Sequence, residues 1–178
     1  MTPHLADTPV LETERLSLRA PQPGDYDAWK AFYLSDRAEF IGGGPDQTAG
    51  IAWRAFCHII GMWAVRGFGS FIVTRKGEDT PVAMTGPWYP DDWPEFELGW
   101  TVWDPALEGT GLAYEAAQEA RRYAYGVLGW KQPVSYIHRD NARSIALAKR
   151  LGAVLDERAP APHSSDVVYR HPPSVEVL

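Results

Sequence analysis

Leu16, Leu18 and Ala20 alternate with polar neighbours through ERLSLRAP (14–21), a period of two that predicts a half-buried strand closed by a proline. The period then lengthens. In PGDYDAWKAFYLSD the residues Ala28, Trp29, Phe32 and Tyr33 share one helical face, with Asp25 near the start. After the loop IGGGPDQTAG, a second helix carries Trp53, Phe56, Cys57, Ile60 and Ala64 at helical spacing until Gly67 and Gly69 stop it. SFIVTRK, PVAMTGPWY and PEFELGWTVW read as strands joined by the turn-rich KGEDTP and YPDDWP. From Gly109 the chain turns helical again: Leu112, Ala116, Ala120, Tyr123 and Val127, flanked by Ala113, Ala117, Ala124 and Leu128, make a wide apolar stripe. PVSYIH is a strand, NARSIALAKRLGA a helix capped by Asn141 and closed by Gly152, and DVVYRH a last strand. The order β-α-α-β-β-β-α-β-α-β predicts an α/β (α+β) fold, a mixed sheet with helices on it.

Composition narrows what such a fold can do. At 178 residues the chain suits one domain, and 45% hydrophobic residues with eight tryptophans supply a core. A net charge of −6 with no Lys/Arg run argues against nucleic acid as a partner. The opening MTPHLADTPV has no basic or apolar leader region, and no stretch approaches a membrane span, so the expected location is cytoplasmic, away from membranes. One cysteine and no HExxH spacing imply no metal.

The glycines of EGTGLA (108–113) stand where the third helix needs none. The first turn of a helix presents amide N–H groups without intrahelical acceptors, at the positive end of the helix dipole. Gly109 and Gly111 remove the Cβ atoms that would hold a ligand off those donors, which suits an anion such as a pyrophosphate. A Walker A loop is excluded because no Gly-Lys-Ser/Thr triplet occurs. A dinucleotide fingerprint is poorly matched, since Tyr114 replaces its third glycine.

EGTGLA resembles the acyl-CoA loop of the GNAT N-acetyltransferases, with matches at Gly111 and Ala113 and Gly109 as an additional glycine. About 30 residues on, NARSIALAKRLGAV resembles that family's Asn-led helix, one helix and one strand away. TERLSLRAPQPGDYDAW and PEFELGWTVWDPALEGTGLAYEAA resemble the first strand and helix, and the central strand and loop, of its RimJ/RimL-like branch. The chain is identified on these segments as a member of that branch over residues 12–171, a single domain between loose termini at 1–11 and 172–178. The resemblance implies a mixed, mostly antiparallel sheet of about seven strands with about four helices. It implies acetyl-CoA as co-substrate: pantetheine along Thr101, Val102 and Trp103, pyrophosphate on the amides of Gly109, Thr110, Gly111, Leu112 and Ala113, and Asn141 and Ser144 facing the thiol.

Two positions depart from the family pattern. Glu108 stands where Gln or Arg is usual, a carboxylate beside a pyrophosphate, and Ala148 stands where many relatives carry a tyrosine acid. Ser144 is then the next candidate to protonate the leaving thiolate. Amine attack on a thioester also needs a proton acceptor, and Glu97 on the central strand fits, with Glu95 alternating onto the same face as the competing choice. Asn141 is in any case a helix cap, Cys57 a small apolar residue in a helical stripe, and His138 the end of a strand beside the cleft. Trp88, Tyr89 and Trp93 are candidates to line an acceptor pocket. Two functions are open: acetyl transfer to a primary amine, on a protein N-terminus or a small molecule, or a CoA-binding module without chemistry. Acidity favours a cationic acceptor by steering. A homodimer is left open.

Overall fold

The computed structural model describes residues 5–176; residues 1–4 and 177–178, parts of the segments expected to be loose, lie outside the described residues. Strands β1 (Leu11–Glu12) and β2 (Leu16–Arg19) lead into α1 (Tyr26–Tyr33) and α2 (Ala49–Arg66). Then come β3 (Phe71–Arg75), β4 (Pro81–Trp88) and β5 (Glu97–Val102), followed by α3 (Leu112–Gly126), β6 (Val134–His138), α4 (Ala142–Arg150), β7 (Val154–Leu155) and β8 (Asp166–Arg170). The strands form one mixed sheet in the order β1-β2-β3-β4-β5-β6-β8-β7. Every pairing is antiparallel except β5 with β6. The described residues thus hold eight strands in a mixed, mostly antiparallel sheet, as the resemblance implies; the two-residue pieces β1 and β7 at the sheet edges are too short for a period to show.

Alternation along the strands divides the core. Leu16, Leu18, Phe71, Val73 and Val82 face α3, meeting Leu112, Ala116, Ala120 and Tyr123. Ile72 and Trp103 point the other way, into Trp29, Phe32, Phe56 and Ile59 of α1 and α2. Asp25, 2% exposed, fixes the start of α1 by receiving two hydrogen bonds of 2.8 Å from Arg19, so this buried carboxylate is paired as burial requires.

Three expectations need correction. In α2 the buried residues are Ala52, Phe56, Ile59, Met62 and Trp63, whereas Trp53 and Cys57 are exposed. This helix is apolar almost all round, so spacing alone could not select the inward face. Helix α3 starts at Leu112 and not at Gly109, and Val127, placed in its stripe, lies just beyond its end and 69% exposed. Parts of the supposedly loose ends are anchored: Leu11 pairs with Leu18, Pro172 O accepts from the Tyr125 hydroxyl at 2.6 Å, and the Ser174 N–H donates to Lys131 O at 2.9 Å.

Candidate functional site

The one parallel pairing in the sheet is also its seam. Strands β5 and β6 are in register only at Glu97 and Val134, and then diverge. On the β6 side of β5, Phe96 O accepts from the Val134 N–H at 3.0 Å and Leu98 O from the Ser135 hydroxyl at 2.6 Å. The two-residue alternation therefore leaves the N–H and C=O of Trp100 and Val102 directed into the gap, and gives those of Thr101 to β4. A cavity of about 450 Å³ opens there, between the gap, the glycine loop and α4.

Its walls hold most of the residues singled out from the sequence. Thr101, Val102, Gly109, Gly111, Ala113, Asn141 and Ser144 line it. Thr110, Leu112 and Trp103 do not. Trp103 is buried against Phe32, and its backbone N–H donates to Val82 O at 2.9 Å, so that donor is turned away from a ligand lying along the gap side of β5. Thr110 braces the loop by donating to Leu107 O at 2.7 Å, and the Leu112 side chain is in the core.

The glycine loop is shaped as an anion cradle. Gly109 and Gly111 have φ of +74° and +82°, left-handed values that residues with a Cβ rarely adopt, and Gly111 caps α3 with no side chain of its own, the Leu112 N–H being taken by Thr110 Oγ1 at 3.4 Å. The amides of Ala113 and Tyr114 in the first turn are accordingly the ready donors. Glu108 changes meaning in this setting. Its carboxylate lies 2.7 Å from an Arg37 terminal nitrogen and 2.8 Å from one of Arg143, and the Arg37 contact is the main reason its pKa lies below the usual carboxylate value. The Arg37 Nε is buried with no partner among the described residues. The cradle's positive charge thus comes from a 3-10 turn (Asp36–Ile41) and from α4. No local pattern around Arg37 marks it, and Arg143 sits unremarked inside the NARS segment.

On the α4 wall of the cavity, Asn141 Oδ1 accepts from the Ser144 N–H at 3.1 Å, capping α4, and the Ser144 Oγ accepts from the Trp100 indole N–H at 3.3 Å. Behind Trp100 a buried polar chain crosses the seam. An Arg121 terminal nitrogen donates to His171 Nδ1 at 3.3 Å, His171 Nε2–H donates to Ser135 Oγ at 3.0 Å, and Ser135 donates onward to Leu98 O. That sequence of donors requires a neutral His171 protonated on Nε2. Burial, with Arg121 beside it, pushes its pKa down to about 3.

Glu97 does not line this cavity. It lies three residues, about 10 Å, before Trp100 and on the opposite face of β5. It is 9% exposed, receives the Trp93 indole N–H, and stands directly across from Trp88, against which the His58 ring of α2 packs at a tilt of 55°, centroids 4.8 Å apart. Burial raises its pKa to about 7, against the lowering by Trp93. Glu95 is a different kind of carboxylate: both oxygens accept from Arg170 at 2.8 Å, a bidentate structural pair. Tyr89 packs on Phe96 at 4.6 Å, and His138 on Phe40, a cavity residue, at 5.0 Å. Among the described residues no group of three His, Cys, Asp or Glu could hold a metal ion, and no helix is long and apolar enough to cross a membrane.

The acetyltransferase (GNAT) domain family matches residues 15–154, most of the chain. The crystal structure of an acetyltransferase from Agrobacterium tumefaciens is 33% identical with a TM-score of 0.86, over 97% of this chain and 99% of that one. A candidate GNAT-family acetyltransferase from Bordetella pertussis is 26% identical with a TM-score of 0.76, over 92% and 99%. A structure named as a candidate ribosomal-protein-serine acetyltransferase from Vibrio cholerae shares the fold, at 18% identity and a TM-score of 0.71, over 97% and 100%.

Proposed function

This chain belongs to the GNAT acetyltransferase family, and from that premise we propose that it transfers an acetyl group from acetyl-CoA to a primary amine, on a protein N-terminus or a small molecule, by direct attack on the thioester. The observation that carries this reading is the seam: a strand edge that turns the backbone groups of Trp100 and the Val102 N–H into the gap, ending on a glycine-lipped helix start with Arg37 and Arg143 beside it. The pattern fits pantetheine followed by pyrophosphate. The residues fit the co-substrate on their own chemistry, since Arg37 Nε lacks a partner among the described residues and a Cβ at Gly109 would meet only open space.

Glu97 is the proposed base. A carboxylate with a pKa near 7 can accept a proton from an amine and release it again at neutral pH. Trp88 and Trp93 beside it form an aromatic wall suited to a cationic amine. Because the sheet is open beyond Val134, an amine on the Glu97 face can reach a thioester held in the gap. As the N–C bond forms and the C–S bond breaks, Glu97 takes the amine proton. Ser144 gives its hydroxyl proton to the thiolate and regains one from water. The pairing of Glu108 with two arginines removes the repulsion that favoured a CoA-binding module without chemistry. The RimJ/RimL-like branch and a cytoplasmic location belong to the same proposal, and acetyl-CoA-dependent thiol release against a panel of primary amines tests it. No release with any amine, in a protein that binds CoA, would leave the non-catalytic reading.

A further inference from the structure

We infer that Trp100 is a positioning residue, whose indole N–H holds the Ser144 Oγ as an acceptor and so aims the serine's own proton into the cavity at the sulfur of bound CoA. The inference rests on the assignment of Ser144 as the proton donor. An indole nitrogen can only donate, so the 3.3 Å contact fixes the direction of the hydrogen bond. A serine within a helix can instead turn its hydroxyl back onto the carbonyl four residues earlier. Here no oxygen among the described residues accepts the Ser144 proton, while its Oγ is already engaged from the side of β5. Both residues line the same cavity.

The Trp100 ring is itself held in place. It meets the ring of His171 edge-on, with centroids 6.5 Å apart at 88°. His171 is fully buried and fixed at both ring nitrogens by Arg121 and Ser135. Ile145 of α4 packs in the same cluster as Trp100. A ring supported in this way can present its N–H in one direction only, whereas a tryptophan serving merely as an apolar wall would need no such aim.

The test uses CoA itself and needs no acceptor. A hydroxyl proton aimed at the sulfur favours the thiolate and lowers the pKa of the bound thiol. That pKa is read from the ultraviolet absorbance of the thiolate against pH, after subtracting the CoA-free protein to remove the exposed Cys57. The other charged groups on the cavity, Arg37, Glu108, Arg143 and Arg150, with His138 nearby, are common to every variant. Ser144→Ala is expected to raise the thiol pKa by about one unit, Trp100→Phe by about half a unit or more, and Trp100→Phe in the Ser144→Ala background by nothing further. CoA affinity by calorimetry should stay within about twofold throughout, because the backbone edge and the cradle are unchanged. If Trp100→Phe packs too loosely to bind CoA, Trp100→Met must give the same shift. No shift in Ser144→Ala overturns the serine assignment and the inference with it. A shift in Ser144→Ala with none in Trp100→Phe overturns the inference alone, as does a Trp100 effect that persists without the serine.

Discussion

Arg37 and Glu108 meet at 2.7 Å across the mouth of the cleft, and the same guanidinium nitrogen donates to Val102 O at 2.9 Å. One side chain thus ties the cradle loop to the last residue of β5. With Arg143 on its other side, Glu108 belongs to a cluster of net charge +1, which attracts a pyrophosphate. Arg37→Ala is expected to weaken CoA binding about tenfold in calorimetry, the loss of one charge-assisted hydrogen bond, and Glu108→Gln to leave binding equal or tighter. Unchanged affinity in Arg37→Ala would mean that the pyrophosphate lies away from this cluster.

CoA and acetyl-CoA should raise the melting temperature, while NAD and ATP at equal concentration should not. A ligand at a hundredfold its Kd stabilises by about 2.7 kcal/mol, several degrees for a chain of this size. Equal shifts with NAD would show that the loop reads any pyrophosphate and that β5 contributes nothing.

Glu97→Gln should lower kcat by roughly ten- to a thousandfold, once an accepted amine is found, and leave CoA affinity unchanged, because Glu97 lies off the cofactor cavity. It should also abolish the ascending limb of kcat/KM near pH 7. If that limb survives, it belongs to the amine, and Glu97 is not the base.

The same residue governs stability. With its pKa raised to about 7, Glu97 holds a proton in the folded chain that the unfolded chain has lost, so its contribution declines as pH rises from its ordinary value of 4.5 to 7. His171, lowered from 6.5 to about 3, works in the opposite sense: the unfolded chain takes up a proton below 6.5 that the folded chain refuses, so stability falls as pH drops through that window. Between pH 4.5 and 6.5 the two slopes oppose each other. Glu97→Gln should therefore expose a steeper acid loss, on the order of 1 kcal/mol per pH unit, and be more stable than the parent above pH 7. Denaturant titrations at pH 5, 6.5 and 8 would show both effects, and parallel curves for the two proteins would refute them.

Much of this was legible in the chain because it is local. The alternation in ERLSLRAP, the cap at Asn141 and the glycines of EGTGLA each report their own backbone, and each lies where its pattern implies. What escaped is what depends on neighbours distant in sequence. Glu95 and Glu97 look alike as alternate residues, and only Arg170, 75 positions from Glu95, makes one a structural pair. Arg37 carries no motif, because its partners Val102 and Glu108 are reached only after the sheet has formed. Trp100, within GWTVW, could have been placed opposite Glu97 by parity, but its contact with Ser144 requires α4 to be docked.

The seam between β5 and β6 gives the sheet two unequal plates. One, β1 to β5, is laced by successive antiparallel ladders; the other, β6, β8 and β7, joins it in strand register at a single residue pair, supplemented by the Ser135 hydroxyl. A rupture or a slow opening of this molecule would start along that line, where few backbone bonds resist it. Stitching the plates together with a longer parallel ladder would make a sturdier protein and close the slot proposed for the thioester. The chain's mechanical weak point and its proposed binding gap are one and the same.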